Sequence, residues 1–174
     1  MQALRRWCFQ KDVLELGAFE GLSTCNIAMT ARSIVTVDTF DARGTAENGK
    51  NTEEAFWGNI NSIERQAQVK AIKGTFADVL PNLTETFDVI FIDGSHDYES
   101  VKQDIALCKP LLRPKGRILF HDYCSENMGV VKALDEFVDS GECKVCYQAD
   151  SLVMVRLDEF EPKIVAPRVV IGMP

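Results

Sequence analysis

Short apolar runs along the chain alternate with longer stretches in which apolar residues recur every three to four positions. Continuous apolar runs are typical of strands buried on both faces of a sheet, and the longer period is typical of helices with one buried face. The predicted strands cover residues 12–16, 34–38, 69–73, 87–93, 117–121, 143–149 and 152–157. The predicted helices cover residues 21–29, 51–66, 75–80, 98–108 and 130–138.

The order of these elements predicts an α/β fold with a doubly wound, mostly parallel sheet and helices on both faces. Only Asp150 and Ser151 separate the last two strands, so these strands are expected to form an antiparallel hairpin. A chain of 174 residues suits a single domain with a full core. We therefore expect one domain over residues 1–174, with its core at 12–157 and an irregular tail at 158–174.

The composition is ordinary for a globular protein, with 46% hydrophobic and 26% charged residues. The formal net charge of -7 argues against a nucleic-acid partner and against an anionic membrane surface. No apolar run approaches the length of a membrane span, and residues 1–10 lack the apolar core of a signal peptide. The sequence therefore predicts a cytoplasmic protein with no nucleic acid and no membrane as partner.

The six cysteines agree with a cytoplasmic location, because without a secretory signal they are expected to be reduced thiols. Cys143 and Cys146 have the CxxC spacing of metal and redox sites. No second pair completes a zinc site, and this pair lies in a predicted strand instead of at a helix start. We interpret both as strand residues.

A glycine turn after the first strand predicts a cofactor site. The apolar run over residues 13–21 contains Glu15, Gly17 and Gly21, and Asp38 closes the next apolar run. Such a unit holds an adenosine cofactor, because the glycines admit it closely and the distal acid binds the ribose hydroxyls. A dinucleotide fingerprint has glycine where Glu15 stands, and a carboxylate there would repel a pyrophosphate. It suits S-adenosylmethionine, which carries an ammonium and a sulfonium and no phosphate.

Polar residues cluster where the predicted strands end. In open α/β sheets, ligands bind beyond the carboxyl ends of the strands. The residues at these ends are Glu15, Gly17, Asp38, Asp93, His121 and Asp122. Asp93 and Asp122 end neighbouring strands, and two carboxylates brought together repel unless a cation or a shared proton intervenes.

These motifs resemble class I S-adenosylmethionine-dependent methyltransferases. The resemblance is closest to small-molecule O-methyltransferases, whose domain also occurs in cephalosporin-hydroxylase-like proteins. The matching segments are residues 13–21, 37–38, 74–78, 89–98 and 112–123, within a resemblance that spans 12 to about 157. It implies a Rossmann-like methyltransferase fold, a seven-stranded sheet with an antiparallel last strand.

The resemblance also implies roles for individual cofactor-binding residues. These are Glu15, Gly17 and Gly21 on the methionine side, Asp38 at the ribose, Ala77 and Asp78 by the adenine, and Asp93 nearby. Each of three residues also has an alternative structural role. Glu15 can be a surface acid at the strand end, Asp38 can cap the next segment, and Asp78 can start a helical turn.

The resemblance further implies a divalent metal held by Asp93, Asp122 and His121. Magnesium prefers oxygen ligands, so a histidine in this set suits manganese, iron or zinc better. The alternative is that His121 packs beside the site without binding metal. His96 is the candidate general base, with Asp93 also catalytic, because Ser95 stands where some relatives have a catalytic acid. A hydrogen-bonding role at a helix start is the alternative for His96.

The predicted function is S-adenosylmethionine-dependent, metal-assisted O-methylation of a small hydroxylated molecule. One alternative is a cofactor-binding module without turnover, and another is an iron site of two histidines and one carboxylate for oxygen chemistry. Only residues 1–11 precede the first strand, where many relatives have helices that roof the site. The roof is therefore expected to be absent, supplied by a second copy in a homo-oligomer, or formed by a mobile lid at residues 39–51.

Overall fold

The computed structural model describes residues 1–43, 47–65 and 68–157, so the predicted tail at 158–174 lies outside the described residues. Strands within these segments are Asp12–Leu16 (β1), Ser33–Asp38 (β2), Val69–Lys73 (β3), Phe87–Ile92 (β4), Leu112–Phe120 (β5), Cys143–Ala149 (β6) and Leu152–Leu157 (β7). Helices within them are Gln2–Cys8 (α1), Leu22–Ala28 (α2), Glu53–Asn61 (α3), Phe76–Val79 (α4), Tyr98–Cys108 (α5) and Met128–Asp139 (α6). In these segments no helix combines the length and the apolarity that crossing a bilayer requires.

The seven strands form one sheet in the order β3-β2-β1-β4-β5-β7-β6. All neighbours are parallel except β7, which runs antiparallel to both β5 and β6. The predicted α/β fold, the seven-stranded sheet and the closing hairpin are thus confirmed. The strand order reverses between β1 and β4, and this reversal leaves a crevice at their carboxyl ends.

Two apolar clusters cover the two faces of the sheet, because successive side chains of a strand point to opposite faces. On β1, Val13 joins a cluster with Leu4 of α1 and Ile27 of α2. Leu14 joins the opposite cluster, which includes residues of α5 and α6 such as Leu134. Burying one such side chain contributes about 1.5–3 kcal/mol, so both faces stabilise the central strands.

Helix α1 was not predicted from the sequence. It is short and carries two buried residues, Leu4 and Cys8, which pack against the same sheet face as α2. The Arg5 side chain donates a hydrogen bond of 3.0 Å to Asn26 of α2. Seven residues make only about two turns, too few for a clear periodic signal, and tertiary packing decides whether the helix forms.

Helix α3 is shorter than the prediction, which continued to residue 66. It ends at Asn61, where the Ser62 amide and hydroxyl both hydrogen-bond to the Asn59 carbonyl. The Ile63 amide then bonds to the carbonyl three residues earlier, which tightens the last turn and ends the helix. Residue 66 itself lies outside the described residues.

Strand β5 begins five residues earlier than predicted, at Leu112. Residues 114–116, whose proline and glycine are typical of a turn, lie inside the strand as an irregularity. Lys115 has a positive φ of 65°, and the pairing with β4 shifts between Phe87 and Val89. Here residues 113–116 of β5 lie opposite Asp88 alone, so the turn-forming residues interrupt the pairing without ending the strand.

Candidate functional site

Four backbone hydrogen bonds continue the parallel pairing past the ends of the strands. They run from Gly74 to Asp38, from Gly17 to Val37, from Asp93 to Leu16 and from His121 to Ile92, with lengths of 2.8–3.0 Å. These bonds hold the residues that follow β3, β1, β4 and β5 side by side. The edge they form borders a cleft of about 1360 Å³.

The cleft collects most of the predicted site residues. Those that line it are Gly17, Asp38, Ala77, Asp93, His96, His121 and Asp122. Three others, Glu15, Gly21 and Asp78, lie near its wall without lining it. Residues 1–4, at the start of α1, also border the cleft, so the segment before β1 contributes to its wall.

The glycine turn has a steric requirement at Gly17. Its φ is 95°, and a Cβ atom there would lie 2.1 Å from the Asp93 carbonyl oxygen. A side chain at this position would therefore push the end of β1 away from the end of β4. Gly21 has a φ of 88° and faces the Phe56 ring. Both glycines shape the turn that opens into the cleft.

Asp38 holds the glycine turn from the side. Its Oδ2 accepts hydrogen bonds from the backbone amides of Ala18 and Phe19, at 2.6 and 2.9 Å. Its Oδ1 accepts one from the Phe40 amide at 2.7 Å. A carboxylate offers about four acceptor positions, so one stays available to a ribose hydroxyl. The ribose role of Asp38 stays a prediction, and its support of the turn was not expected from the sequence.

Glu15 is fully buried, on the sheet face that α1 and α2 cover. Its Oε2 accepts a hydrogen bond of 2.5 Å from the Thr24 hydroxyl, and its Oε1 has no hydrogen-bond partner among the described residues. Burial raises the pKa of this carboxyl to about 7, although nearby hydroxyls, among them Ser23 and Thr24, lower it. A surface-acid explanation therefore does not hold, and any attraction to a cofactor ammonium acts through the wall of the cleft.

The segment after β3 separates the two residues expected beside the adenine. Ala77 lines the cleft. Asp78 is exposed, and its backbone amide and carboxylate both bond to the Thr75 hydroxyl, at 3.2 and 2.6 Å. Thr75 and Asp78 thus cap the start of α4. The contact of Asp78 with a cofactor stays a prediction.

Two carboxylates and an imidazole converge at the ends of β4 and β5. Ligand atoms of Asp93, His96 and Asp122 all lie within 4.8 Å of one another. Nε2 of His96 is 2.8 Å from Oδ2 of Asp122. Asp122 has a positive φ of 57°, a conformation that aspartate tolerates better than most residues. These three side chains could hold a divalent cation, and the set contains His96 in the place where the sequence predicted His121.

His121 lies on the other side of the same carboxylates. Its Nδ1 is 3.2 Å from Oδ1 of Asp93 and 3.0 Å from Oδ1 of Asp122. This nitrogen is buried and neither contact has the angle of a hydrogen bond, so the attraction is electrostatic. The Asp93 carboxylate beside it raises the pKa of His121 to about 9, with Asp122 adding to the effect and burial opposing it. A charged His121 partly neutralises the two acids.

Asp97, which follows His96 in the chain, has a local structural role. It caps α5 by accepting a hydrogen bond from the Ser100 amide, and its other oxygen accepts one from the Ser95 hydroxyl. These bonds lower the pKa of Asp97 to about 2. Asp97 does not line the cleft, whereas His96 does, which favours His96 as the base.

Asp104 borders the cleft and was missed by the sequence analysis. It lies among the buried residues of α5, which are Val101, Asp104, Ile105 and Cys108. An acid within an apolar stripe of helical spacing is a signal that the sequence contained.

A family model described as a methyltransferase domain matches residues 14–123 of the chain. The chain is similar to an uncharacterised protein of Acanthamoeba polyphaga mimivirus, with 33% identity over 123 residues, 66% of this chain and 54% of that protein. It is also similar to an O-methyltransferase of Aspergillus hancockii, with 28% identity over 116 residues, 64% and 42% of the two chains. It spans about half the length of these curated relatives.

Among solved structures, the chain is similar to an O-methyltransferase from Bacillus cereus in complex with S-adenosylhomocysteine. The TM-score is 0.69 at 17% identity, over 90% of this chain and 78% of that one. A likeness at this level of identity shows a shared fold. The domain match covers the glycine turn, Asp38 and both acids of the convergent group, which are the parts of the molecule that border the cleft.

Proposed function

The chain belongs to the family of S-adenosylmethionine-dependent methyltransferase domains, and we propose that it methylates a hydroxyl group of a small molecule with the help of a divalent metal. The observation that carries this proposal is that the Gly17 turn and the group of Asp93, His96 and Asp122 open into one cleft. A cofactor at the turn and an acceptor at the group would be neighbours there. Ligand pockets commonly measure about 300–1,000 Å³, so this cleft has room for both molecules.

On this proposal, the cofactor lies along the ends of β1, β2 and β3. Gly17 admits its methionine part, Asp38 accepts a hydrogen bond from a ribose hydroxyl, and Ala77 borders its adenine. Bound there, S-adenosylmethionine supplies an electrophilic methyl group. The buried Glu15 supports the turn through Thr24 and adds negative charge behind the wall of the cleft.

The acceptor hydroxyl must lose its proton for its oxygen to become a good nucleophile. His96 is placed to take that proton, because it lines the cleft and its Nε2 lies against Asp122. The contact orients the imidazole and leaves Nδ1 for the substrate, which is the arrangement of a positioned general base.

Asp93, Asp122 and His96 would hold the metal, with His121 behind the two acids. A bound divalent ion lowers the pKa of a coordinated hydroxyl and stabilises its anion. An imidazole in the donor set favours manganese, iron or zinc over magnesium. If His96 is occupied as a ligand, the ion takes over the activation of the hydroxyl and His96 is not the base.

The test is to incubate the protein with S-adenosylmethionine and a panel of small phenols, catechols and sugars. The formation of S-adenosylhomocysteine measures turnover. Chelator should reduce the rate by orders of magnitude and added Mn²⁺ should restore it, because Lewis-acid stabilisation is worth several kcal/mol. If metal-free protein methylates its substrate at the full rate, the metal hypothesis is wrong. His96 would then be the candidate base. Cofactor binding without turnover on any acceptor would support the binding-module alternative instead.

A calorimetric Mn²⁺ titration of H96Q and H121Q distinguishes the two histidines in the same experiment. If His96 is a ligand, H96Q should weaken metal binding by more than H121Q does, and the effect of H121Q should not exceed the roughly 10–100-fold typical of residues behind a ligand. The reverse order would restore the ligand set expected from the sequence. Oxidation of a substrate with iron and without S-adenosylmethionine would support the oxygenase alternative, which the family assignment disfavours.

We also propose a reducing, cytoplasmic location and a small-molecule partner. All six cysteines lie in the described segments and none forms a disulfide, which supports a reducing compartment. A homo-oligomer and a lid at residues 39–51 stay predictions, and residues 44–46 of that loop lie outside the described residues.

A further inference from the structure

Asp104 is a largely buried acid whose carboxylate borders the cleft and has no hydrogen-bond or ion-pair partner among the described residues. Its side chain belongs to a residue that is 5% exposed, within the apolar face of α5. In the described parts of the chain, no group donates a hydrogen bond to its carboxylate and no basic side chain forms an ion pair with it. Its oxygens are not among the sealed polar atoms of the described residues, so they reach the cleft, and partial burial still makes the ionised form costly. A hydrogen-bond donor on a bound ligand would lower that cost.

The Asp104 carboxylate faces the cleft at Gly94. A Cβ atom built on Gly94 would lie 3.6 Å from Oδ2 of Asp104 and 2.8 Å from Cε2 of Phe76. The acid and the aromatic ring thus meet at one glycine, and all three residues line the cleft. Ala77 and Gln103 border the same part of it. A ring beside an unpaired carboxylate, with small residues around them, suits a planar heterocycle that carries an amino group.

The adenine of S-adenosylmethionine has such an amino group at position 6. Resting on the proposed function, we propose that the Asp104 carboxylate accepts a hydrogen bond from this amino group and selects adenine over other bases. Asp78, the acid that the sequence placed by the adenine, is bonded to Thr75 and does not line the cleft. Asp104 supplies the missing acceptor from the next helix along the chain.

The burial of Asp104 agrees with this role. Burial raises the pKa of its carboxyl to about 7, with the charge of Asp97 adding to the effect. This shift reflects the cost of an ionised carboxylate without a donor. A donor that arrives with the cofactor relieves that cost, whereas a 6-oxo base would bring a second acceptor against the carboxylate.

The experiment compares S-adenosylhomocysteine with S-inosylhomocysteine, which has an oxygen at position 6, by calorimetry. Wild-type protein should bind the adenine ligand about 10–100-fold more tightly, as expected for a hydrogen bond to a charged acceptor. D104N should reduce this preference to within about threefold, because an amide can rotate to donate to the oxygen or to accept from the amine. D78N tests the rival acid, and E99Q removes an exposed charge from the same helix as a matched control.

Four outcomes decide the matter. The inference is supported if D104N loses the preference for the adenine ligand while D78N and E99Q keep it. Retention of the wild-type preference in D104N, or its loss in D78N, overturns it. If D104N does not fold, wild-type protein is measured with the N6,N6-dimethyladenine ligand, which has no donor, and undiminished affinity overturns the inference. If wild-type protein binds no S-adenosylhomocysteine at all, the proposed function fails together with the inference.

Discussion

At the residue scale, Glu15 is a carboxyl group inside an otherwise apolar part of the core. It is fully buried and has one hydrogen-bonded oxygen, from Thr24. Burial raises its pKa from 4.5 to about 7. The folded protein therefore holds this proton more tightly than the unfolded chain does, and the folded state is favoured where the carboxyl is protonated.

The first prediction concerns E15Q without ligand. As the pH rises from about 4.5 to about 7, wild-type protein should lose up to roughly 3 kcal/mol of unfolding free energy through this group, and no more above pH 7. E15Q keeps an acceptor for Thr24 but cannot ionise, so its advantage over wild type should grow across this window. Urea unfolding at pH 5, 6, 7 and 8 measures the difference in unfolding free energy between E15Q and wild type. Asp104 titrates in both proteins, so its contribution cancels in this difference.

The control for this series is E99Q, which removes an exposed carboxylate. E99Q should follow the pH dependence of wild-type protein. A constant difference between E15Q and wild type from pH 5 to pH 8 would mean that Glu15 is not titrating in this range.

At the scale of elements, the turn between β1 and α2 shapes the end of the cleft where we propose that the cofactor binds. The turn is held by Asp38 on one side and by the close approach of Gly17 to the end of β4 on the other. Its geometry therefore depends on three strands at once. The same holds for α1, whose two buried residues are useful only against the assembled sheet.

The second prediction compares two Gly→Ala changes. G17A places a Cβ atom 2.1 Å from the Asp93 carbonyl oxygen at a positive φ, so we expect several kcal/mol of destabilisation and loss of S-adenosylhomocysteine binding. G58A lies in α3 with no atom within 4 Å of its Cβ, so it should gain about 0.5–1 kcal/mol from helix propensity. Thermal unfolding and calorimetry measure both variants. Normal ligand affinity in G17A would show that the turn can relax without cost.

At the scale of the whole molecule, the cleft is built from the ends of the parallel strands together with α1 and α5. A ligand that binds this folded arrangement and not the unfolded chain stabilises the whole domain by mass action. The identity of the stabilising ligand therefore reports on the proposed cofactor.

The third prediction is a thermal shift. S-adenosylhomocysteine at 100 times its Kd should contribute about 2.7 kcal/mol. For a domain of this size, that free energy should raise the Tm by about 5–10 °C. NAD at the same concentration should raise the Tm by less, because the buried Glu15 disfavours a pyrophosphate at the turn. Differential scanning calorimetry is the measurement, and a larger shift with NAD would contradict the choice of cofactor.

Local patterns in the sequence were sufficient for the fold. The strand-helix alternation, the Gly17 turn, the hairpin at Asp150 and the acids at the strand ends are all set by neighbours in the chain. Parallel pairing then brings every strand end to one edge, so the location of the site followed from the order of the elements. The bulge at Lys115 and the short helix α1 were missed because pairing and packing outweigh weak local signals.

Side-chain partnerships were decided only by the tertiary structure. The positions of Glu15, Asp78, His96 and His121 in the chain indicate that these residues can lie near the cleft. The spacing does not show that Glu15 is buried in the core or that Asp78 is hydrogen-bonded to Thr75. Nor does it show that His96 lies with the two acids and that His121 lies behind them. The physical reason is that burial and electrostatic attraction depend on distances between elements that are far apart in sequence. A shift of a few ångströms in one loop exchanges one partner for another without altering any local pattern.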